Sequence, residues 1–170
     1  GGGGGGAGWY SAEACPLGAG YVLRARERGA KVSVQDPRVC PLARTADVFL
    51  PVRPGTDSAL FGAVLHVLIE RDWLDHEFID AHTIHFDEAA AAVVEMTPAW
   101  AANITGVPAA RIAEAAELWG TSATGLMPHA RGIQHHPNGH DKALRAIHPG
   151  PPPRQIRTPG RGGAPLTRLG

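Results

Sequence analysis

Cysteine is scarce in this 170-residue sequence, which contains only Cys15 and Cys40. Two cysteines are too few for a disulfide framework, and no Cys-x-x-Cys or Cys/His spacing typical of a zinc site occurs. We therefore expect a reducing compartment, the cytoplasm. An excess of either charge is also missing, because 16 basic side chains balance 16 acidic ones. This balance argues against nucleic acid or an anionic membrane as the partner and favours a small ligand.

Long apolar runs and targeting signals are missing too. The apolar stretch at residues 60–69 is interrupted by Gly62 and His66, and it is shorter than the run of about 18 residues that crosses a bilayer. The first residues are glycines and contain neither the basic nor the apolar segment of a signal peptide. We therefore predict no membrane span.

Motifs of covalent and metal catalysis are missing as well. No Gly-x-Ser-x-Gly elbow occurs, and neither cysteine has an evident base beside it. A Gly-x-Gly-x-x-Gly fingerprint between a strand and a helix is matched only trivially, by the run of glycines. Histidines cluster in one segment, but their spacing matches no zinc pattern: His129, His135, His136 and His140. We predict no catalytic residue and no metal ligand in this chain.

The two ends differ in composition from the middle. Residues 1–10 begin with six glycines, which lose the most backbone entropy on ordering, so we expect a disordered lead. Residues 148–170 are rich in proline, glycine and arginine, and we expect disorder there too. A frameshift near residue 147 is the alternative for this tail, because residues 150–162 in the next frame could continue the family pattern described below. The coding DNA distinguishes the two.

Residues 11–147 alternate between helical and extended patterns, as a parallel α/β sheet requires. Apolar periodicity predicts helices over residues 16–28, 58–70, 75–81, 87–96, 98–104 and 108–119. Strands are predicted over residues 31–35, 48–52 and 125–127. Thr97 is the expected N-cap of one helix, and Gly120 the expected stop of another. The fold class that follows is a Rossmann-like parallel sheet with helices on both faces.

Polar residues follow two of these strands, at the end where open parallel sheets bind ligands. Asp36 follows the strand at residues 31–35, and a carboxylate there can accept hydrogen bonds from ribose hydroxyls. Pro37 ends the strand, and Arg38 offers a fork for a phosphate. An Asp-Pro turn with no ligand is the alternative interpretation.

The other polar segment is Gly55-Thr56-Asp57. Gly55 would let the backbone approach a flat ligand, and the two oxygens of Asp57 could engage guanine N1–H and N2–H₂ together. Asp57 could instead cap the following helix, and the two roles are compatible. Glu13, in a loop that would follow a first strand, could touch the same ligand.

Several segments in this order resemble the molybdopterin oxidoreductases of the dimethyl sulfoxide reductase type. The resemblance covers roughly residues 11–147 and is carried by residues 11–13 (SAE), 29–38 (GAKVSVQDPR), 50–57 (LPVRPGTD), 63–70, 78–83, 104–108 and 130–136. Residues 129–136 are most similar to the cytoplasmic assimilatory nitrate reductases, and formate dehydrogenases are the next most similar branch. Tyr10 departs from the family, which usually has asparagine there.

The resemblance implies a fragment of a larger multidomain enzyme that carries bis(molybdopterin guanine dinucleotide), molybdenum and a 4Fe–4S cluster. One guanosine and pyrophosphate site would be lined by Glu13, Asp36, Pro37, Arg38, Gly55, Thr56 and Asp57. Arg131, Gln134 and His135 would lie nearer the pterin. The family's iron–sulfur and molybdenum ligands are not in this sequence, so we expect the chain alone to be inactive. The implied partner is an electron-transfer subunit or domain.

Two other hypotheses stay open. One is a stand-alone Rossmann-type module that binds GTP, NAD or a similar nucleotide without redox chemistry. The other is a damaged reading frame whose product binds nothing.

Overall fold

A parallel sheet forms the centre of the computed structural model, which describes residues 2–7, 16–122, 124–129 and 162–165. Its strands are β1 (Gly2–Ala7), β2 (Lys31–Gln35), β3 (Val48–Leu50), β4 (Thr124–His129) and β5 (Gly162–Pro165). They lie in the order β3-β2-β1-β4-β5, and every pairing is parallel. This strand order is that of the doubly wound dinucleotide-binding fold.

The glycine run is part of this sheet, so the prediction of disorder is wrong for Gly2–Ala7. β1 is the central strand: Gly3 is in register with Lys31 of β2 on one side and with Gly125 of β4 on the other. Strand pairing satisfies the backbone groups on both sides, which offsets the entropy that glycine loses on ordering. Disorder is also wrong for Gly162–Pro165, which pair with β4. The rest of both ends lies outside the described residues.

The helices fall where the apolar periodicity predicts them, and no end differs from its prediction by more than three residues. They are α1 (Pro16–Glu27), α2 (Asp57–Glu70), α3 (His76–His82), α4 (Phe86–Val93), α5 (Pro98–Thr105) and α6 (Ala109–Thr121). Thr97 is the N-cap of α5, as predicted, and its Oγ1 accepts a hydrogen bond from Trp100 N at 3.1 Å. None of these described helices is long and apolar enough to cross a bilayer.

Gly120 does not end α6, because the helix continues to Thr121. A Cβ atom at Gly120 would lie 2.6 Å from Trp73 Cε3 and 2.8 Å from Leu68 Cδ2. These distances are too short for any side chain at this position. Glycine at this position therefore allows Trp73 and Leu68 to pack closely against α6, and it does not terminate the helix.

Helices cover both faces of the sheet. Val48 and Leu50 of β3 point into one apolar cluster, together with Leu60 of α2, Ala101 of α5 and Ile112 of α6. Residues that point the other way form a second cluster, in which Val22 of α1 and Phe49 pack against Val32, Val34, Cys40, Leu42 and Ala43. The predicted fold class is confirmed, and Cys40 is a buried core residue.

Candidate functional site

The two predicted polar segments meet at the carboxyl edge of β2 and β3. Gln35 and Leu50, the last residues of these strands, are in register. The backbone N–H of Asp36 donates to Leu50 O at 3.3 Å, which extends the pairing by one residue. The segment Asp36-Pro37-Arg38 and the loop from Arg53 to Asp57 therefore begin side by side, as the carboxyl ends of parallel strands require.

Asp36 forms a tight turn at this edge. Its Oδ1 atom accepts a hydrogen bond from the backbone N–H of Arg38 at 2.8 Å and lies 3.8 Å from Arg38 Nε. The aspartate is only 4% exposed, whereas the Arg38 side chain is 66% exposed. The structure therefore contains the Asp-Pro turn that was the alternative interpretation. Arg38 is more exposed than Asp36 and is better placed to reach a phosphate.

Gly55 leaves space beside the backbone of the loop from Arg53 to Asp57. Its φ of +86° is in the left-handed region, and a Cβ atom built there would meet nothing within 4 Å. Thr56 closes the turn, since its Oγ1 donates to Arg53 O at 2.7 Å. A planar ligand could approach this stretch of backbone without a side chain in its way.

Arg53 fixes the loop to the rest of the domain. Its backbone N–H donates to Thr105 O at 2.9 Å, and its Nη1 lies 3.3 Å from the carbonyl oxygens of both Asn103 and Ile104. A guanidinium at the carboxyl end of α5 is stabilised by the partial negative charge there. Arg53 therefore has a structural role in holding this loop against α5.

Asp57 is the first residue of α2, and Thr56 occupies the N-cap position. The prediction that Asp57 caps the helix is therefore wrong in its position. The Asp57 carboxylate is instead held from the side, because Gln35 Nε2 donates to its Oδ1 at 2.8 Å. Among the described residues, the other oxygen, Oδ2, accepts no hydrogen bond. A carboxylate has about four acceptor positions, so most of them remain for a ligand.

Gln35 is the residue of this edge that the sequence prediction missed. It is 6% exposed and points towards the same face as Leu50. A glutamine at an inward position of a β-branched strand was the available signal, because a buried amide needs a partner. The partner, Asp57, is 22 residues away in the sequence.

Four predicted site residues, Glu13, Arg131, Gln134 and His135, lie outside the described residues. Within the described part of the chain, no group of histidine, cysteine, aspartate or glutamate side chains could hold a metal ion. The described residues are of the types that could bind a nucleotide: an exposed arginine for phosphate, a glycine without a nearby side chain for a flat base and a carboxylate with most of its acceptor positions left for the base edge.

Comparisons with known proteins point to one class of enzymes. No family model matches the chain. The α subunit of F420-dependent formate dehydrogenase 1 from Methanococcus maripaludis is 34% identical over 151 residues, which are 89% of this chain and 22% of that subunit. Dimethyl sulfoxide reductase DmsA from Escherichia coli is 32% identical over 148 residues, covering 75% of this chain and 18% of DmsA.

A solved structure agrees with these relatives. Acetylene hydratase from Pelobacter acetylenicus superimposes with a TM-score of 0.78 and 30% identity, over 84% of this chain and 20% of that protein. Homologues of the chain are thus molybdopterin oxidoreductases of the dimethyl sulfoxide reductase family. The chain spans about a fifth of the length of these relatives.

Proposed function

We propose that this chain is part of a molybdopterin oxidoreductase and binds the guanosine end of molybdopterin guanine dinucleotide. The observation that carries the proposal is the carboxylate of Asp57, which lies beside the open backbone of Gly55 at the carboxyl edge of the sheet. Homology to enzymes of the dimethyl sulfoxide reductase family supports it. This position is where doubly wound folds bind nucleotides.

Each described residue has a proposed part in binding. Asp57 accepts hydrogen bonds from guanine N1–H and N2–H₂, and Gly55 lets the base lie against the backbone. Arg38 pairs with the pyrophosphate, while Asp36 orders the turn that holds Arg38 and faces the ribose. Pro37 and Thr56 fix the shapes of the two loops. The bound cofactor, with its molybdenum, supplies the redox chemistry of the intact enzyme.

The remaining predicted contacts belong to the same proposal. Glu13 would complete the guanosine site, and Arg131, Gln134 and His135 would lie nearer the pterin. The second cofactor molecule, the 4Fe–4S cluster and an electron-transfer subunit or domain would be associated with the rest of a cytoplasmic enzyme. The name of the Methanococcus maripaludis relative, which is an α subunit, supports the expectation of a partner.

Calorimetric titration of the chain with GDP and ADP tests the guanosine site. We expect GDP to bind about tenfold more tightly than ADP, because one good bidentate contact is worth roughly 1–3 kcal/mol of base discrimination. Asp57→Ala should remove the preference. Asp80→Ala, which removes an exposed carboxylate of α3, is the matched control and should retain it. Equal affinity for GDP and ADP would contradict the guanosine assignment and favour a nucleotide-binding module of another kind.

The substrate of the intact enzyme is a separate proposal. The resemblance of residues 129–136 favours nitrate, and the formate dehydrogenase relatives favour formate as the second candidate. The protein from the complete gene should be assayed for nitrate reduction with reduced viologen dye and for formate oxidation with oxidised dye. The substrate that is turned over decides between them. Turnover by the isolated chain would refute our prediction that it is inactive alone.

A further inference from the structure

Gln35 is a buried polar residue whose position the fold alone does not explain. It is the last residue of β2, it is 6% exposed, and its neighbour across the strand pair is Leu50. Leu50 belongs to the apolar cluster beneath α2 and α6. An apolar side chain at position 35 would extend that cluster, whereas burying an amide costs free energy unless it is hydrogen-bonded.

The side-chain amide of Gln35 forms its hydrogen bond with Asp57. Its Nε2 donates to Asp57 Oδ1 at 2.8 Å, from β2 to the first residue of α2. The contact connects the two segments of the candidate site, because Gln35 directly precedes the Asp36 turn and Asp57 directly follows Thr56. A single, partly buried hydrogen bond therefore couples the rotamer of the carboxylate to the sheet.

The type of donor matters as much as its position. An amide is neutral, so it orients the carboxylate without cancelling the negative charge, which a lysine or arginine would do. It also engages Oδ1 only, which leaves Oδ2 and a second acceptor position on Oδ1 for a ligand. A planar donor pair such as guanine N1–H and N2–H₂ needs the carboxylate plane fixed before binding, because ordering it later costs affinity.

We propose that Gln35 is a positioning residue that fixes the Asp57 carboxylate in the plane required for guanine recognition. The inference rests on the proposed guanosine site and adds a determinant of its specificity. Gln35 does not touch the base. Its contribution therefore appears in the discrimination between bases and not in general nucleotide affinity.

The test uses the full chain, two variants of Gln35 and three probes. Gln35→Met keeps the length of the side chain and removes the donor, and Gln35→Glu keeps the size and replaces the donor with a carboxylate. GDP, ADP and IDP are titrated by calorimetry, since IDP lacks the N2 amino group. We expect both variants to reduce the GDP-over-ADP and GDP-over-IDP preferences about three- to tenfold, which is the effect of one hydrogen bond. Affinity for ADP should not change.

A double substitution separates positioning from a structural role. In the Asp57→Ala background, Gln35→Met should have no further effect on any of the three affinities, because its only route to the base has been removed. An unchanged GDP preference in Gln35→Met would overturn the proposal, and so would an equal loss of affinity for all three probes. If both single variants unfold, Gln35 maintains the fold and the positioning role is refuted. If the wild-type chain shows no guanine preference, the guanosine site itself is the assignment that fails.

Discussion

Asp47 and Asp57 stand at opposite ends of the same pair of strands and are held in different ways. Asp47 lies before β3, at the amino edge of the sheet, and Asp57 lies beyond the carboxyl edge. Asp47 Oδ2 accepts from the backbone N–H of Val32 at 2.9 Å, and its Oδ1 accepts from Lys31 Nζ at 3.0 Å. Arg26 Nε lies 3.8 Å from Oδ2. Asp57 has one neutral donor among the described residues, Gln35.

The difference shows two roles that an aspartate near the edge of a sheet can have. Lys31 and Arg26 balance the charge of Asp47, and the Val32 N–H occupies one of its oxygens, so the carboxylate stabilises the fold. Asp57 has no ion pair among the described residues and keeps most of its acceptor positions, so its carboxylate could accept hydrogen bonds from a ligand. Sequence position alone does not distinguish them, because each is a single aspartate between a polar loop and an apolar segment.

The largest effect we expect is on stability, from Asp47→Ala. The partly buried Val32 N–H would lose its acceptor, and an unsatisfied donor of this kind costs about 2 kcal/mol. Urea unfolding followed by circular dichroism should show this loss, while the GDP-over-ADP preference stays unchanged. Asp47→Asn, which keeps an acceptor for Val32, should cost less. A loss of base preference comparable to that of Asp57→Ala would remove the distinction between the two edges.

Substituting Gly29 or Gly55 compares the two edges, because the two changes should impose similar backbone strain. Gly29 and Gly55 have φ values of +90° and +86°, and a Cβ atom at either would meet nothing within 4 Å. Each change to alanine should therefore lower the free energy of unfolding by about 1 kcal/mol. Gly29 precedes β2 at the amino edge, so only Gly55→Ala should also weaken GDP binding. Equal GDP affinity in the two variants would mean that the base does not lie against Gly55.

The regular elements and the placement of the two polar segments at one edge of the sheet could be predicted from the sequence, because both depend on local pattern. β2 has the predicted bounds, and the polar segments lie at the predicted strand ends. The strand of Gly2–Ala7 could not be predicted, since glycines have no side chain to show a pattern and their pairing comes from β2 and β4. The contact from Gln35 to Asp57 depends on strand register and on where α2 begins, which no local pattern records.

Acid should weaken the amino edge through Asp47. Partial burial acts to raise the pKa of Asp47, but the hydrogen bonds from Val32 and Lys31 and the charges of Lys31 and Arg26 outweigh it, so the pKa lies below its usual value of 3.8. A carboxyl whose pKa is lower in the folded state contributes stability above its unfolded pKa, and that stability is lost as the pH falls through the folded pKa.

Unfolding experiments on the wild type and Asp47→Asn should therefore diverge most above about pH 4. The gap between them should narrow as the pH decreases further. The effect should be smaller than that of Asp47→Ala, because protonation leaves an oxygen that can still accept from Val32. A gap that widens towards low pH would contradict the sign of the pKa shift.

The smallest expected effect comes from Lys31→Met, which removes one cation from Asp47 and keeps most of the aliphatic stem. The Lys31 side chain is 62% exposed and that of Asp47 is 24% exposed, so solvent and salt screen the pair, and we expect a loss of only about 0.5 kcal/mol. The difference from wild type should shrink further when the salt concentration is raised to about 1 M, where charges are screened over roughly 3 Å. A loss as large as that of Asp47→Ala would show that the ion pair, and not the Val32 N–H, accounts for the role of Asp47. The amino edge would then depend on charge neutralisation, which makes the contrast with the amide-held Asp57 sharper still.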